Sequence, residues 1–447
     1  MTTNRLAGIV VTLACCWAAA CGSDDAKTIK IGVVYPETGT SASDGIDYRA
    51  GAELARDIIN EKRSSIAMTI AANEGIESQD NATVELVFRD DGGNADQGVA
   101  AANALVDEDG VVGILGSYQS AVTQAVSTAM KARGVPVINA ASTAPTLTTN
   151  GLEWFWRTTP HDRYFVEDLF KLLNGLSEGS VRGVTAVPKA NITRIAAACE
   201  NTAFGSNNCA LVTELAARTT YNYSVVATVL YNAAAANLDT EISTALNTLL
   251  AGDPQVILLA GYDQDTIKLV QGIRQRVIDG VAEMPQIIWG QDTGISSQAF
   301  RTALGTGLDG IISRSVFLPK ITETKAVAAN INDLYKERTT RDLNSASARS
   351  FTGVQTWASI LEKARTTDAA DIQQAANTLL LPAEQLIVPW AGVKFSSAGD
   401  TSGEVGQNIL GSGVIYQYQR NAGEQSLEIV YPFDLATADM QFPLAPF

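Results

Sequence analysis

The chain predicts an α/β fold of two doubly wound parallel-sheet lobes, and three observations carry that expectation. From Ile29 to Ser313 short apolar runs alternate with amphipathic helical stretches, the pattern of parallel strands joined by crossover helices. The alternation restarts near Arg157, giving two consecutive series. A length of 447 residues is too great for one compact core and comfortable for two. In sheets of this kind ligands lie at the carboxyl ends of the strands, so the loops that follow them are where chemistry is sought.

The first series opens with the strand Ile29–Val34 and the helix Tyr48–Asn60, whose Leu54, Ile58 and Ile59 form an apolar stripe. Strand Val84–Phe88 and helix Ala95–Val106 follow. Next comes the most informative stretch, Val111–Pro145. It reads as a strand (Val111–Leu115), a Gly-Ser turn, and a helix with Val122, Val126, Ala129 and Met130 on one face, ended by Gly134. A second strand, Val135–Ile138, leads into the hydroxyl-rich loop Asn139–Thr143. This is a βαβ unit with two strand-end loops side by side. Ser120 stands where an N-cap belongs, so its hydroxyl and the free N–H groups behind it face whatever docks there. A helix N-terminus beside hydroxyls suits a small carboxylate, and no nucleophile–base pair accompanies it.

The second series runs through helix Tyr164–Leu173, strand Arg194–Ala198, helix Asn208–Arg218, strand Ser224–Val229 and helix Asp239–Leu250. Strand Val256–Leu259, helix Gln264–Arg276 and strands Gln286–Trp289 and Gly310–Ser313 complete it. Beyond Pro319 come helical stretches around Thr324–Arg338 and Thr352–Lys363, and Gly413–Tyr431 reads as a β-ribbon. The strand-end loops contain no phosphate-binding loop, dinucleotide fingerprint or nucleophile elbow. The adjacent pair Asp90-Asp91 points apart in a turn and fits turn formation better than acid–base work.

The N-terminus addresses the chain. Leu6–Ala20 is an apolar run of signal-peptide length, too short to span a membrane. Ala18-Ala19-Ala20-Cys21-Gly22-Ser23 resembles a bacterial lipobox, with Cys21 as the lipidated first residue of the mature chain. The alternative is an ordinary cut after Ala20 that leaves Cys21 free. Of the five cysteines, Cys15 and Cys16 leave with the signal. Cys199 and Cys209 then remain in an oxidising compartment, where a disulfide is favoured over two core thiols. A net charge of −16 supplies no basic stripe for nucleic acid. His161 is the only histidine and the cysteines lack zinc spacing, so no metal, cofactor or catalytic residue is expected; a surface or hinge role suits His161.

These residues resemble a family. KIGVVYPETGTSASDGIDYRAGAELA (30–55), FRDDGGNADQGVAAANALV (88–106), GVVGILGS (110–117), GVPVINAASTAP (134–145), WFWRTTPHD (154–162) and the tail IVYPFDLATADMQFPLAP (429–446) are similar in order and spacing to the type 1 periplasmic binding proteins of ABC importers, within them the leucine/isoleucine/valine-binding group. The resemblance implies two lobes joined by three crossings near Thr158, Val316 and Val388, closing on a ligand by hinge motion. With the leader at 1–20 and an anchor linker at 21–28 read from the N-terminal segment, the resemblance implies a first lobe of 29–157 with 317–388, and a second of 158–316 with 389–447. The α-carboxylate receptor falls on Ser120, Ala141 and Thr143, the ammonium-binding acid on Asp292, and ring-bearing pocket positions on Phe204 and Tyr262.

Two departures bear on the ligand. Asp44 stands where branched-chain binders place an aromatic ring, and Gln119 where one member has a cysteine. Both make the side-chain end of the pocket more polar. The expected function is therefore a lipid-anchored, extracytoplasmic binder of an amino acid or similar small zwitterion, acting as a monomer with the membrane subunits of an ABC permease. The alternatives are a ligand sensor for a membrane receptor, or a binder of an amide or small carboxylate.

Overall fold

The computed structural model describes Met1 and residues 27–446 apart from 150, 292, 293, 401, 402 and 422. The signal segment, Cys21 and Asp292 lie outside the described residues. The first series forms β1 (Thr28–Tyr35), α1 (Ala42–Asn60), β2 (Thr83–Asp90), α2 (Ala95–Asp107) and β3 (Ile114–Gly116). It continues through α3 (Ser120–Lys131), β4 (Val137–Asn139), the single turn α4 (Thr146–Thr149) and β5 (Phe155–Arg157). Its five strands are all parallel, in the order β2-β1-β3-β4-β5. Ile31, Val33, Leu115 and Ile138 are buried, as a sheet covered on both faces by crossover helices requires.

The second series forms α5 (Asp162–Glu178), β6 (Arg194–Glu200), α6 (Ala203–Ala216), β7 (Ser224–Tyr231) and α7 (Leu238–Leu250). Then come β8 (Val256–Ala260), α8 (Asp263–Ile278), β9 (Ile287–Gly290), the short α9 (Gln298–Leu304) and β10 (Ile312–Ser315). The chain next returns to the first lobe as α10 (Ala326–Thr339), α11 (Ser345–Ala364) and α12 (Ala369–Asn377), with the two-residue strands β11 (Leu381–Pro382) and β12 (Gly392–Val393). The ribbon β13 (Val414–Asn421) and β14 (Glu424–Tyr431) extends the second sheet antiparallel, giving the order β14-β13-β10-β9-β8-β6-β7. Among the described residues no helix is long and apolar enough to cross a membrane.

Two differences from the sequence reading matter for the site. Helix α1 starts at Ala42 and α11 at Ser345, earlier than their apolar stripes suggest. Their first turns are polar yet buried: Asp44 and Asp47 on α1, and Ser345, Ser347, Arg349 and Ser350 on α11. Asn344 caps α11 through the N–H of Ser347 at 3.0 Å and donates to Asp47 Oδ2 at 2.5 Å. The two helices touch closely because Gly51 has no side chain; a Cβ there would sit 2.1 Å from the Ser347 carbonyl oxygen.

The third crossing is the second difference. The segment after Val388 stays on the first lobe, because Val393 pairs with Leu381 and Gln407 bridges to Arg157 at the end of β5. Arg157 is fully buried there, donating to Gln407 Oε1 at 2.7 Å, the Ala144 carbonyl at 2.6 Å and Thr148 Oγ1 at 2.8 Å. The passage to the second sheet therefore falls between Ile409 and Val414, about two dozen residues beyond the boundary that the family resemblance implied. His161 sits at the first crossing, buried against Glu404 at 2.6 Å, so the surface alternative for it does not hold.

Candidate functional site

The strand-end loops of both lobes meet around a small cavity of about 10 Å³, lined by Tyr118, Ser120, Ala141, Ser142, Thr143, Phe204, Tyr262 and Arg314. That is room for about one water molecule. The first lobe supplies the βαβ unit of β3, α3 and β4. Asn139, the last residue of β4, organises both of its loops: Nδ2 donates to the Gly116 and Ser117 carbonyls at 2.9 Å each, and Oδ1 accepts from the N–H groups of Ala141 and Ser142 at 3.1 and 2.8 Å. Ser142 Oγ sits 2.8 Å from the Tyr118 carbonyl and 2.6 Å from Thr123 Oγ1. The Ser142 hydroxyl is thus fixed before any ligand arrives.

Ser120 does not cap the helix as its sequence position suggested. Gln119 occupies the cap, its side chain makes no capping hydrogen bond, and Ser120 Oγ instead accepts the N–H of Ala144 at 3.2 Å. The first-turn N–H groups of α3 are left without a capping side chain, which keeps the positive end of that helix available to an anion. Gln119 Nε2 donates to Ser41 Oγ at 3.0 Å, and Asp44 is buried nearby on α1; neither lines the cavity.

The second lobe contributes aromatic rings and charge. Tyr262 stands between Tyr118 and Phe204, with ring centroids 5.6 and 5.5 Å away, so one of these contacts crosses between the lobes. Gly205 after Phe204 is obligatory, since a Cβ would lie 2.1 Å from the Glu200 carbonyl oxygen. Glu200 Oε1 accepts the Gly205 N–H at 2.6 Å, which fixes the start of α6. Asp263 opens α8 beside Tyr262 and accepts from Ser43 Oγ of the first lobe at 3.3 Å. Burial pushes its carboxyl up to about 6. Cys199, on β6, and Cys209, on α6, are joined by a disulfide in the same buried cluster as Phe204.

Two buried arginines went unnoticed in the sequence. Arg314 of β10 is 2% exposed; its Nε donates to the Gln291 carbonyl at 3.1 Å, and its guanidinium lies 4.4 Å over the Phe165 ring. Arg349 of α11 is fully buried and donates through Nη1 to the Ala141 carbonyl at 2.9 Å. Burial pushes its pKa down to about 10, so it stays charged at neutral pH. The available signals were a lone arginine in the apolar run Ile311–Phe317 and another in the serine-rich stretch before Phe351. Of the residues that the resemblance put in the ligand site, Ser120, Ala141, Thr143, Phe204 and Tyr262 come together around one cavity.

Two α/β lobes with facing strand-end loops and a small cavity between them define a ligand-binding protein of the hinged, two-lobed class. The chain belongs to the periplasmic binding protein family, whose description matches residues 28–398. A 134-residue stretch, 30% of the chain, is 36% identical to the Leu/Ile/Val-binding protein homolog 3 of Brucella melitensis biotype 1, and spans about a third (32%) of that relative's length. The leucine-, isoleucine-, valine-, threonine-, and alanine-binding protein of Pseudomonas aeruginosa is 24% identical over 86% of this chain and 91% of its own. In fold the chain is similar to the branched-chain amino acid transporter substrate binding protein LivJ of Streptococcus pneumoniae, solved with isoleucine: TM-score 0.67, 20% identity, 91% of this chain and all of that one. These relatives are substrate-binding proteins, and the type 1 periplasmic binding fold is shared with them.

Proposed function

We propose that this protein is a lipid-anchored, extracytoplasmic solute-binding component of an ABC importer, taking an amino acid or similar small zwitterion between its lobes. The observation that supports the reading most is the pairing of a prearranged anion receptor on one lobe with aromatic walls on the other. Ser120, Ala141 and Thr143 sit around an uncapped helix start, and Phe204 and Tyr262 face them. Asp292 is the residue we assign to the ligand's ammonium group, on the family resemblance. Cys21 supplies the anchor, and a permease would read the closed form.

A thermal-shift screen of the mature domain against amino acids, amides and small carboxylates tests the ligand class. A ligand present at 100 times its Kd adds about 2.7 kcal/mol of stability. Cys21→Ser tests the anchor: the variant is expected in the soluble or unprocessed fraction, and efficient membrane retention with normal cleavage rejects it.

A further inference from the structure

We infer that Arg314 is a ligand-binding residue, and that the ligand's carboxylate, held between Arg314 of the second lobe and the Ser120/Thr143 receptor of the first, is the dominant anchor of the site. This rests on the solute-binding reading above and narrows it to organic acids, for which an amine strengthens binding without being required.

The guanidinium of Arg314 lines the cavity, yet its partners leave it under-coordinated. Nε has the Gln291 carbonyl at 3.1 Å. Nη2 reaches Thr143 Oγ1 only at 3.4 Å and Asp162 Oδ1 only at 3.5 Å. A guanidinium–carboxylate hydrogen bond normally closes to about 2.7–2.9 Å, so the Asp162 contact is a loose one. Nη1 is buried and has no hydrogen-bond partner among the described residues. An unpaired buried N–H on a cation costs more than one on a neutral group, and an anion in the cavity removes that cost.

The placement says which part of a ligand would answer it. The 3.4 Å contact with Thr143 Oγ1 puts Arg314 against the very loop that offers hydroxyl and helix-terminal N–H donors. All of these groups suit the same ligand atoms, two carboxylate oxygens. Arg349 strengthens the field from the other side: it is fully buried, makes no ion pair among the described residues, and leaves Nη2 without a partner while gripping the Ala141 carbonyl. That carbonyl is an acceptor a ligand ammonium could otherwise have used. The opposing Asp162 is also fully buried and meets the guanidinium only at 3.5 Å, so it leaves Arg314 loosely paired. Tyr118, Phe204 and Tyr262 leave an aromatic wall for the remainder of the acid. A carboxylate seated here touches both lobes, so it alone can draw them together.

The experiment uses matched probes on the whole mature protein: phenylalanine, 3-phenylpropanoate and phenylalaninamide, with the corresponding leucine series, titrated by calorimetry into wild type, Arg314→Lys and Arg314→Gln. Removing the carboxylate is expected to weaken binding more than removing the amine does. Arg314→Gln is expected to weaken every acid by roughly 30-fold or more, with Arg314→Lys intermediate. The comparison of acid with amide on wild type needs no variant, so a misfolded Arg314 variant leaves the inference testable. An amide that binds as well as its acid overturns it, as does silence from every acid. Amino acids that bind equally to wild type and Arg314→Gln overturn it while leaving the solute-binding reading intact. Des-amino acids that bind through Arg314 where amino acids do not would uphold it and reject the zwitterion.

Discussion

Ser43 of the first lobe donates its hydroxyl to Asp263 of the second at 3.3 Å, a direct tie across the mouth of the cleft. Asp263 is 3% exposed, and this burial, more than the charge of the neighbouring Asp265, lifts its carboxyl from 3.8 to about 6; the hydrogen bonds from Ser43 and Ser297 act the other way. A carboxyl with a raised pKa in the folded state binds its proton more tightly there than when unfolded. The stability it contributes is present in full below about pH 4 and is lost as pH rises through 6. The shift corresponds to about 2–3 kcal/mol. Asp263→Asn keeps an acceptor for Ser43 and removes the titration. Asp91, also raised to about 6 by burial, titrates in both proteins and cancels in the comparison. Between pH 7 and pH 4 the wild type should therefore gain about that much stability over Asp263→Asn in urea unfolding. A pH-independent difference between the two would sink this account.

How much of this was legible beforehand depends on where polarity is buried. The strands β1, β6 and β8 and the helices α7 and α8 announce themselves, because one apolar face meets an apolar core. The first turns of α1 and α11 do not. Asp44, Asp47, Ser347 and Arg349 are buried in hydrogen-bonded contacts near the cleft, so their polar letters read as loop. The three-residue β5 is too short for any periodicity, though its position shapes the first crossing. The site itself was half legible. Hydroxyls at a helix start and the rings Phe204 and Tyr262 follow family spacing, whereas Arg314 is an isolated cation whose meaning needs the second lobe brought against the first.

The disulfide gives a prediction about stability alone. Cys199 and Cys209 are ten residues apart, so the cross-link closes a small loop between the end of β6 and the middle of α6. On the chain-entropy account such a loop contributes about 2–3 kcal/mol, most of it by restricting the unfolded chain. Reduction, or the double change Cys199→Ala with Cys209→Ala, should lower the urea midpoint accordingly. Phe204 packs in the same cluster, so ligand affinity is the readout that separates a purely entropic cross-link from one that shapes the site. A fully stable reduced protein would reject the assignment of stability to this bond.

Asp292 and Ser120 should differ in a defined order. If Asp292 receives the ammonium, Asp292→Asn removes a negative charge facing a desolvated cation, which typically costs about 2–5 kcal/mol, or roughly 30-fold to several thousand-fold in Kd. Ser120→Ala should cost about 1–2 kcal/mol, because the helix-terminal N–H groups remain. Its loss also frees the Ala144 N–H that the hydroxyl now accepts, so part of that cost is structural. The Asp292 effect should shrink for a des-amino ligand, which has no cation to lose. Equal small losses with both kinds of ligand would confine Asp292 to shaping its turn.

Closure is the last expectation, and the cavity itself argues for it. With Tyr118 against Tyr262 and Ser43 bonded to Asp263, the space between the receptor loops is about 10 Å³. Room for one water cannot admit an amino acid, so a ligand must enter while the lobes are apart. Three chain crossings, at Arg157–Asp162, Ser315–Ala326 and Ile409–Val414, are the places where rotation can occur without disturbing either sheet. The free protein in solution should then populate an opened arrangement, and a saturating ligand should reduce its radius of gyration while leaving far-ultraviolet dichroism unchanged. Small-angle scattering with and without ligand reads both states. The Asp263→Asn variant adds a control: having lost the penalty of burying a charge, it should sit further toward the compact form at neutral pH before any ligand is added. A confirmed ligand that leaves the scattering curve unaltered would mean that the lobes do not move on binding, and that the small cavity is not where the solute goes.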